Sequence, residues 1–314
     1  MQILPDIAEV LAWRRPADPG GKIRRASRGV LLRKIEGVFI RSAPAEVYRE
    51  FNRNWGVLPA TCRRRFLEEP ELWGRVLLDL DSDVAPYFEV LRDSASGVLD
   101  HGSWRRPRWA NTTGASYSLD EMRTISARLL AAGRALPAMC KEANDLLVRF
   151  ARVVVIRRDG AAPDQWMSET TEGFLGRIEL NNPHLSQVGP LEFVEALVHE
   201  TIHSYVSTVE LFHPLVPDRE AANEITVQSP WTGASLDAQR FVHATLVWWG
   251  LLHFWSRCLR GPAAEVPALR NRWAACRLGF EGRGLRHALA GLAPTLSLPA
   301  RALLERIALA SPPG

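Results

Sequence analysis

At 314 residues, with 46% hydrophobic and 24% charged side chains, the chain has ordinary globular composition and enough length to bury a sizeable core. Its formal net charge of +4 is small for that length, and no window approaches the ~18 uninterrupted apolar residues of a membrane span. Cys62, Cys140, Cys258 and Cys276 lack CxxC spacing, which indicates neither a thiolate zinc site nor a disulfide framework.

In chain order, Asp6, Glu9, Arg14 and Arg15 interrupt the only apolar stretch near the start, so no secretory segment is expected and a cytoplasmic location is. The first hundred residues read as helical and irregular, punctuated at Pro19-Gly20-Gly21. Arg14, Arg15, Lys22, Arg24, Arg25, Arg28, Arg33 and Lys34 make a basic start. It carries no interleaved aromatics and reads as a solvated face, with no nucleic-acid or membrane partner. Residues 100 to 117 read as a loop containing Trp104, Pro107 and Trp109. Ser118 and Glu121 form a capping box that opens a helix, with a break at Pro137 and helical periodicity to about Phe150. Val153 to Ile156 predict a buried strand, Gly176 to Leu180 a second one, and Asn181-Asn182-Pro183 a turn.

The most informative stretch follows: His199-Glu200-Thr201-Ile202-His203. On a helix, residues four apart share a face, so both imidazoles can reach one metal ion while Glu200 projects nearby as a proton handler. Gly189 and Pro190 stand at the start of that helix, with Glu192 and Glu195 in its first turn. Phe193, Val194, Leu197, Val198, Ile202, Tyr205, Val206 and Val209 recur at helical spacing. The two histidines border this apolar stripe, where bare polar groups are costly to bury, so a metal site outweighs two structural histidines.

A second long helix starts near Asp237, a good N-cap, and is apolar almost all round from Phe241 to Trp255, with His243 and His253 as its conspicuous polar members. The last fifty residues read as shorter helices punctuated by Pro262, Pro267, Pro294 and Pro299. The expected fold is α+β, mainly helical, with a small sheet beside the metal site. Residues 1–130 are expected as a helical subdomain and 131–314 as the metal-binding catalytic region, or both as one continuous domain.

Two histidines need a third protein ligand to hold a catalytic metal, and two candidates lead to different enzymes. Glu224, after Asn223, resembles the downstream glutamate of thermolysin-type zinc peptidases; Zn²⁺ would then sit on His199, His203 and Glu224, with Glu200 as general base. Against it, Gln228 stands where a further acid is expected, and Ile225, Thr226 and Val227 favour a strand over a helix. The other candidate is His243, embedded in the apolar helix.

Ser229-Pro230-Trp231-Thr232-Gly233, Val242-His243-Ala244, Val247-Trp248-Trp249-Gly250-Leu251 and Phe254-Trp255, taken with the His-Glu helix, resemble the HExxH-motif 2-oxoglutarate-dependent peptide β-hydroxylases of ribosomal peptide biosynthesis. The resemblance covers roughly residues 175 to 290. It implies Fe(II) held by His199, His203 and His243, 2-oxoglutarate and O₂ as co-substrates, and hydroxylation of a side chain at its β-carbon in a precursor peptide. The distal carboxylate of 2-oxoglutarate wants an arginine, for which Arg240 and Arg177 are the candidates. Members of that family often carry an arginine in the turn after Ser-Pro-Trp, where this chain has Thr232 and Gly233. Trp231 and Trp248 are candidates for a dry substrate wall, and core packing explains them equally well. The resemblance ranks the hydroxylase ahead of the zinc peptidase.

Overall fold

A computed structural model describes residues 7–18, 23, 117–151, 153–170, 177–218, 222–261 and 266–310. The readings made for Asp6, Pro19-Gly20-Gly21, Lys22, Gly176, Pro262 and residues 24–116, including Cys62, Trp104, Pro107, Trp109 and the basic residues up to Lys34, lie outside these. The architecture is α+β and mainly helical: eight helices and five short strands among the described residues. None of these helices is long and apolar enough to cross a membrane. The chain divides into two compact units, neither continuous in sequence. A sheet unit comprises Gly20–Leu136 and Leu146–Ser207, and a terminal unit comprises Met1–Pro19, Pro137–Asp145 and Thr208–Gly314.

In the sheet unit, which holds α2 (Leu119–Met139) as far as Leu136, that helix opens on the predicted capping box, Ser118 N–H donating to Glu121 at 2.8 Å while Glu121 N–H donates to Ser118 Oγ at 3.3 Å. Pro137 lies inside the last turn rather than ending the helix, and the break falls at Cys140, before α3 (Lys141–Phe150). Pro137 cannot donate to the carbonyl four residues back, which weakens the last turn and fits a helix that ends two residues later. Strands β1 (Val153–Arg157), β2 (Met167–Glu169) and β3 (Arg177–Asn181) form a sheet in the order β1-β3-β2. β3 runs parallel to β1, with Val155 opposite Glu179, and antiparallel to β2, with Ser168 opposite Leu180. Ile178 to Asn181 of the middle strand are buried, and the carboxylate of Glu179 meets Arg157 Nη1 at 2.8 Å from the neighbouring strand.

The predicted turn is real, and its chemistry is specific. Asn182 adopts φ 55° and is fully buried. Its amide donates to the carbonyls of Ala162 and Gln165 and accepts from Asp159 N–H, fastening the β1–β2 connection. Asparagine tolerates this left-handed conformation while its side chain bonds the backbone, and few residues combine the two. The turn then delivers α4 (Pro190–Glu210), capped where Gly189 N–H donates to Glu192 at 2.8 Å. Within this unit, Phe193, Leu197, Ile202, Tyr205 and Val206 of α4 are buried, with Phe193 against Trp166 and Tyr205 against Phe150.

In the terminal unit, β4 (Thr226–Gln228) and β5 (Ser235–Asp237) form a hairpin around Ser229-Pro230-Trp231-Thr232-Gly233-Ala234. Gly233 takes φ +70°, and Ser229 N–H bonds Ala234 O to close the loop. Asp237 ends β5 and caps α5 (Ala238–Cys258), accepting from Arg240 N–H at 2.8 Å. α5 is buried almost all round, as its composition predicts. The short α1 (Ile7–Leu11) leads to Trp13, whose indole N–H donates to Gly250 O and whose carbonyl accepts from Arg257. α6 (Pro267–Leu278), α7 (Gly284–Leu292) and α8 (Leu298–Leu309) complete the unit.

His253 of α5 is buried against Trp249 and its Nε2 has no hydrogen-bond partner among the described residues. Burial, assisted by Arg14 and Arg260, pushes its pKa down to about 4. Above pH ~6.5 the group is neutral folded or unfolded and stability is unaffected. As pH falls from ~6.5 towards 4, the unfolded chain takes up a proton that the folded one refuses, removing up to about 3 kcal/mol. Urea unfolding at pH 7.5 and pH 4.5 should show His253→Leu losing clearly less stability than the parent between the two; equal losses would refute this assignment.

Candidate metal centre

Among the described residues, one group of side chains has metal-binding composition and geometry: His199, Glu200 and His203, with one ligand atom from each lying within 4.8 Å of the others. All three come from α4. The i, i+4 spacing brings the imidazoles together, ring centroids 5.0 Å apart and tilted by 47°. Donors on a metal sphere of ~2.1 Å radius lie up to about 4.2 Å apart, so small side-chain adjustments close the set on an ion. His199 and His203 are half-buried, His199 with a third of its side chain exposed, so one side of the group stays open.

Glu200 differs from the two histidines in being 1% exposed. Its Oε1 accepts from Ser168 Oγ at 2.7 Å and lies 3.9 Å from His199 Nε2. Its Oε2 is buried with no hydrogen-bond partner among the described residues. A carboxylate oxygen left this way costs on the order of 1–3 kcal/mol or more, a cost that a cation or a substrate proton removes. Thr170 Oγ1 donates to the Glu200 carbonyl at 3.3 Å, so β2 and the residue after it hold this glutamate at two points.

His243 lies on α5 in the terminal unit, buried, with Nε2 2.8 Å from Glu210 Oε2. Glu210 is the last residue of α4 and also accepts from Gln239 Nε2, at 2.8 and 3.1 Å to its two oxygens. The histidine that sequence singles out in the apolar helix thus has a carboxylate partner of its own. Glu224 is exposed in a turn ahead of β4, and Thr226 to Gln228 form the strand that their composition favours. Arg240 is three-quarters exposed and turns back to Asp237 at 3.4 Å. Arg177 is the first residue of β3, in the same unit as the His-Glu-His group. Trp231 and Trp248 stack with centroids 5.7 Å apart and planes 7° from parallel, and Trp231 also meets Phe280 edge-on and donates to Cys276 O at 2.9 Å.

Sequence reasoning passed over Ser168, Thr170, Glu210 and Gln239. Ser168 and Thr170 carry a faint signal, two hydroxyls at strand spacing before a metal helix. Glu210 carries a better one, since it sits seven residues, two helical turns, beyond His203. Compared with known proteins, the chain matches no family model and no curated protein.

Proposed function

We propose that this chain is a non-haem Fe(II)/2-oxoglutarate-dependent hydroxylase that oxidises a side chain, at its β-carbon, within a peptide. The observation that carries the reading is the His199–Glu200–His203 group: two nitrogens and one carboxylate oxygen, the donor composition of facial iron sites that leave positions open for co-substrate and O₂. Iron with 2-oxoglutarate and O₂ supplies, when bound, the oxidising power to convert C–H to C–OH, releasing succinate and CO₂. The protein's part is to hold and orient. His199 and His203 supply the nitrogens, Glu200 supplies the carboxylate oxygen, and the buried stripe of α4 keeps water from behind the group. Arg177 and Arg240 are the proposed contacts for the distal carboxylate of 2-oxoglutarate. Arg177 is the better supported, because Arg240 is engaged with Asp237 at the α5 cap.

Two donor sets share the histidine pair. Glu200 as third donor is supported by its partnerless Oε2, and His243 by the family resemblance alone. The zinc-peptidase alternative needs Glu224, whose exposed turn position gives it no packing to fix a ligand geometry. Adding 2-oxoglutarate to anaerobic, Fe(II)-loaded protein should produce a weak visible charge-transfer band that O₂ discharges with formation of succinate. Stoichiometric zinc, no such band, and a peptide-hydrolysing activity abolished by Glu200→Gln would replace this reading with the peptidase.

A further inference from the structure

We infer that Ser168 is the positioning residue of the metal centre. Its hydroxyl holds Glu200 Oε1, the oxygen 3.9 Å from His199 Nε2, and so fixes how the carboxylate meets the ion. The inference rests on the metal-binding reading above and deepens it. A carboxylate at a metal has two ways to fail: it can rotate about its last bond to exchange oxygens, or it can spread both oxygens over the ion and use up an open position. The Ser168 O–H bond, 2.7 Å to Oε1, opposes both, because rotation has to break it and a carboxylate spread over the ion has to turn away from it. Glu200 is 1% exposed, so bulk water does not compete with Ser168 for its carboxylate.

The backbone supports the arrangement. Ser168 is the central residue of β2, and its partner in the ladder is Leu180 of the buried strand β3. Side chains alternate along a strand, so Met167 and Glu169 go to the other face; Met167 is half exposed, and Glu169 accepts from Asn181. Two residues on, Thr170 shares the side of Ser168, and its hydroxyl meets the main-chain carbonyl of the same glutamate at 3.3 Å. One short edge strand therefore fixes the side chain of Glu200 and the helix turn that carries it. A serine placed for packing alone would not need a carboxylate oxygen at that distance on a neighbouring element 32 residues away.

The test is Co(II) binding to the full-length protein by chelator competition, read with the visible d–d spectrum of the bound ion. The variants are Ser168→Ala, Ser168→Thr and His203→Ala. Loss of a hydrogen bond behind a metal ligand lowers affinity by about 10- to 100-fold. Ser168→Ala should fall in that range with a changed spectrum, and Ser168→Thr, which keeps the hydroxyl, should recover most of both. Far-UV circular dichroism identifies any variant that fails to fold, and the threonine variant then carries the test by its affinity and spectrum. If Ser168→Ala binds with parental affinity and spectrum while His203→Ala does not bind, the positioning role is overturned and the metal centre stands. If the parent itself binds no Co(II), both are overturned.

Discussion

Alanine at His199 or at His203 should abolish the thermal stabilisation that Fe(II) or Co(II) confers on the parent protein. An ion present at a hundred times its dissociation constant stabilises a folded protein by about 2.7 kcal/mol, a rise of about 5 °C in melting temperature for a chain of this size. Each histidine variant should show no rise, because the remaining two donors of the group hold the metal too weakly. Two further substitutions decide the third donor. If Glu200 supplies it, Glu200→Gln loses the metal-dependent rise and His243→Gln keeps it, at a lower baseline because Glu210 loses a buried partner. The opposite pattern would install three histidines as the ligand set, as the family resemblance implies. Retention of the rise in both histidine variants, His199→Ala and His203→Ala, would remove the metal centre from α4.

The second large effect lies at Gly279, where α6 ends. A Cβ built there would sit 2.1 Å from Cε2 and Nε1 of Trp231, inside the ring's own volume. The backbone at this position has φ −71°, open to any residue, so the cost of a side chain is collision alone. Gly279→Ala must push Trp231 off its stack on Trp248 and away from the Cys276 carbonyl. We expect a loss of about 3 kcal/mol in urea unfolding, at the upper end for an overfilled site. Combining it with Trp231→Ala should recover much of that loss, since the colliding ring is gone, and the non-additivity is the signature of contact. A Gly279→Ala protein within about 0.5 kcal/mol of the parent would mean that the Trp231 ring is not seated there.

The long elements were legible because their periodicity is unambiguous. The apolar stripe of α4, the capped and fully apolar α5, the β-branched run of β1 and the Asn-Asn-Pro turn all appear where their residues indicate. The histidine pair was legible for the same reason, as a consequence of helical spacing. β2 was not, because three residues, Met167-Ser168-Glu169, are too few to show a period and become a strand only through β3. The partners of the charged groups were equally hidden. That His243 meets Glu210, or that Ser168 meets Glu200, depends on elements brought together by packing over about thirty residues of intervening chain. The Trp231–Trp248 pair was visible as composition, while its use of Gly279 as a seat was not.

Trp13 and Gly250 are 237 positions apart, and their bond ties the first described helix to the middle of α5. At translation rates of 5–20 residues per second, roughly ten to fifty seconds separate the emergence of the two from the ribosome. Until α5 emerges, the Trp13 indole N–H lacks the Gly250 carbonyl that it meets in the folded protein, so this bond closes only after most of the chain has been made.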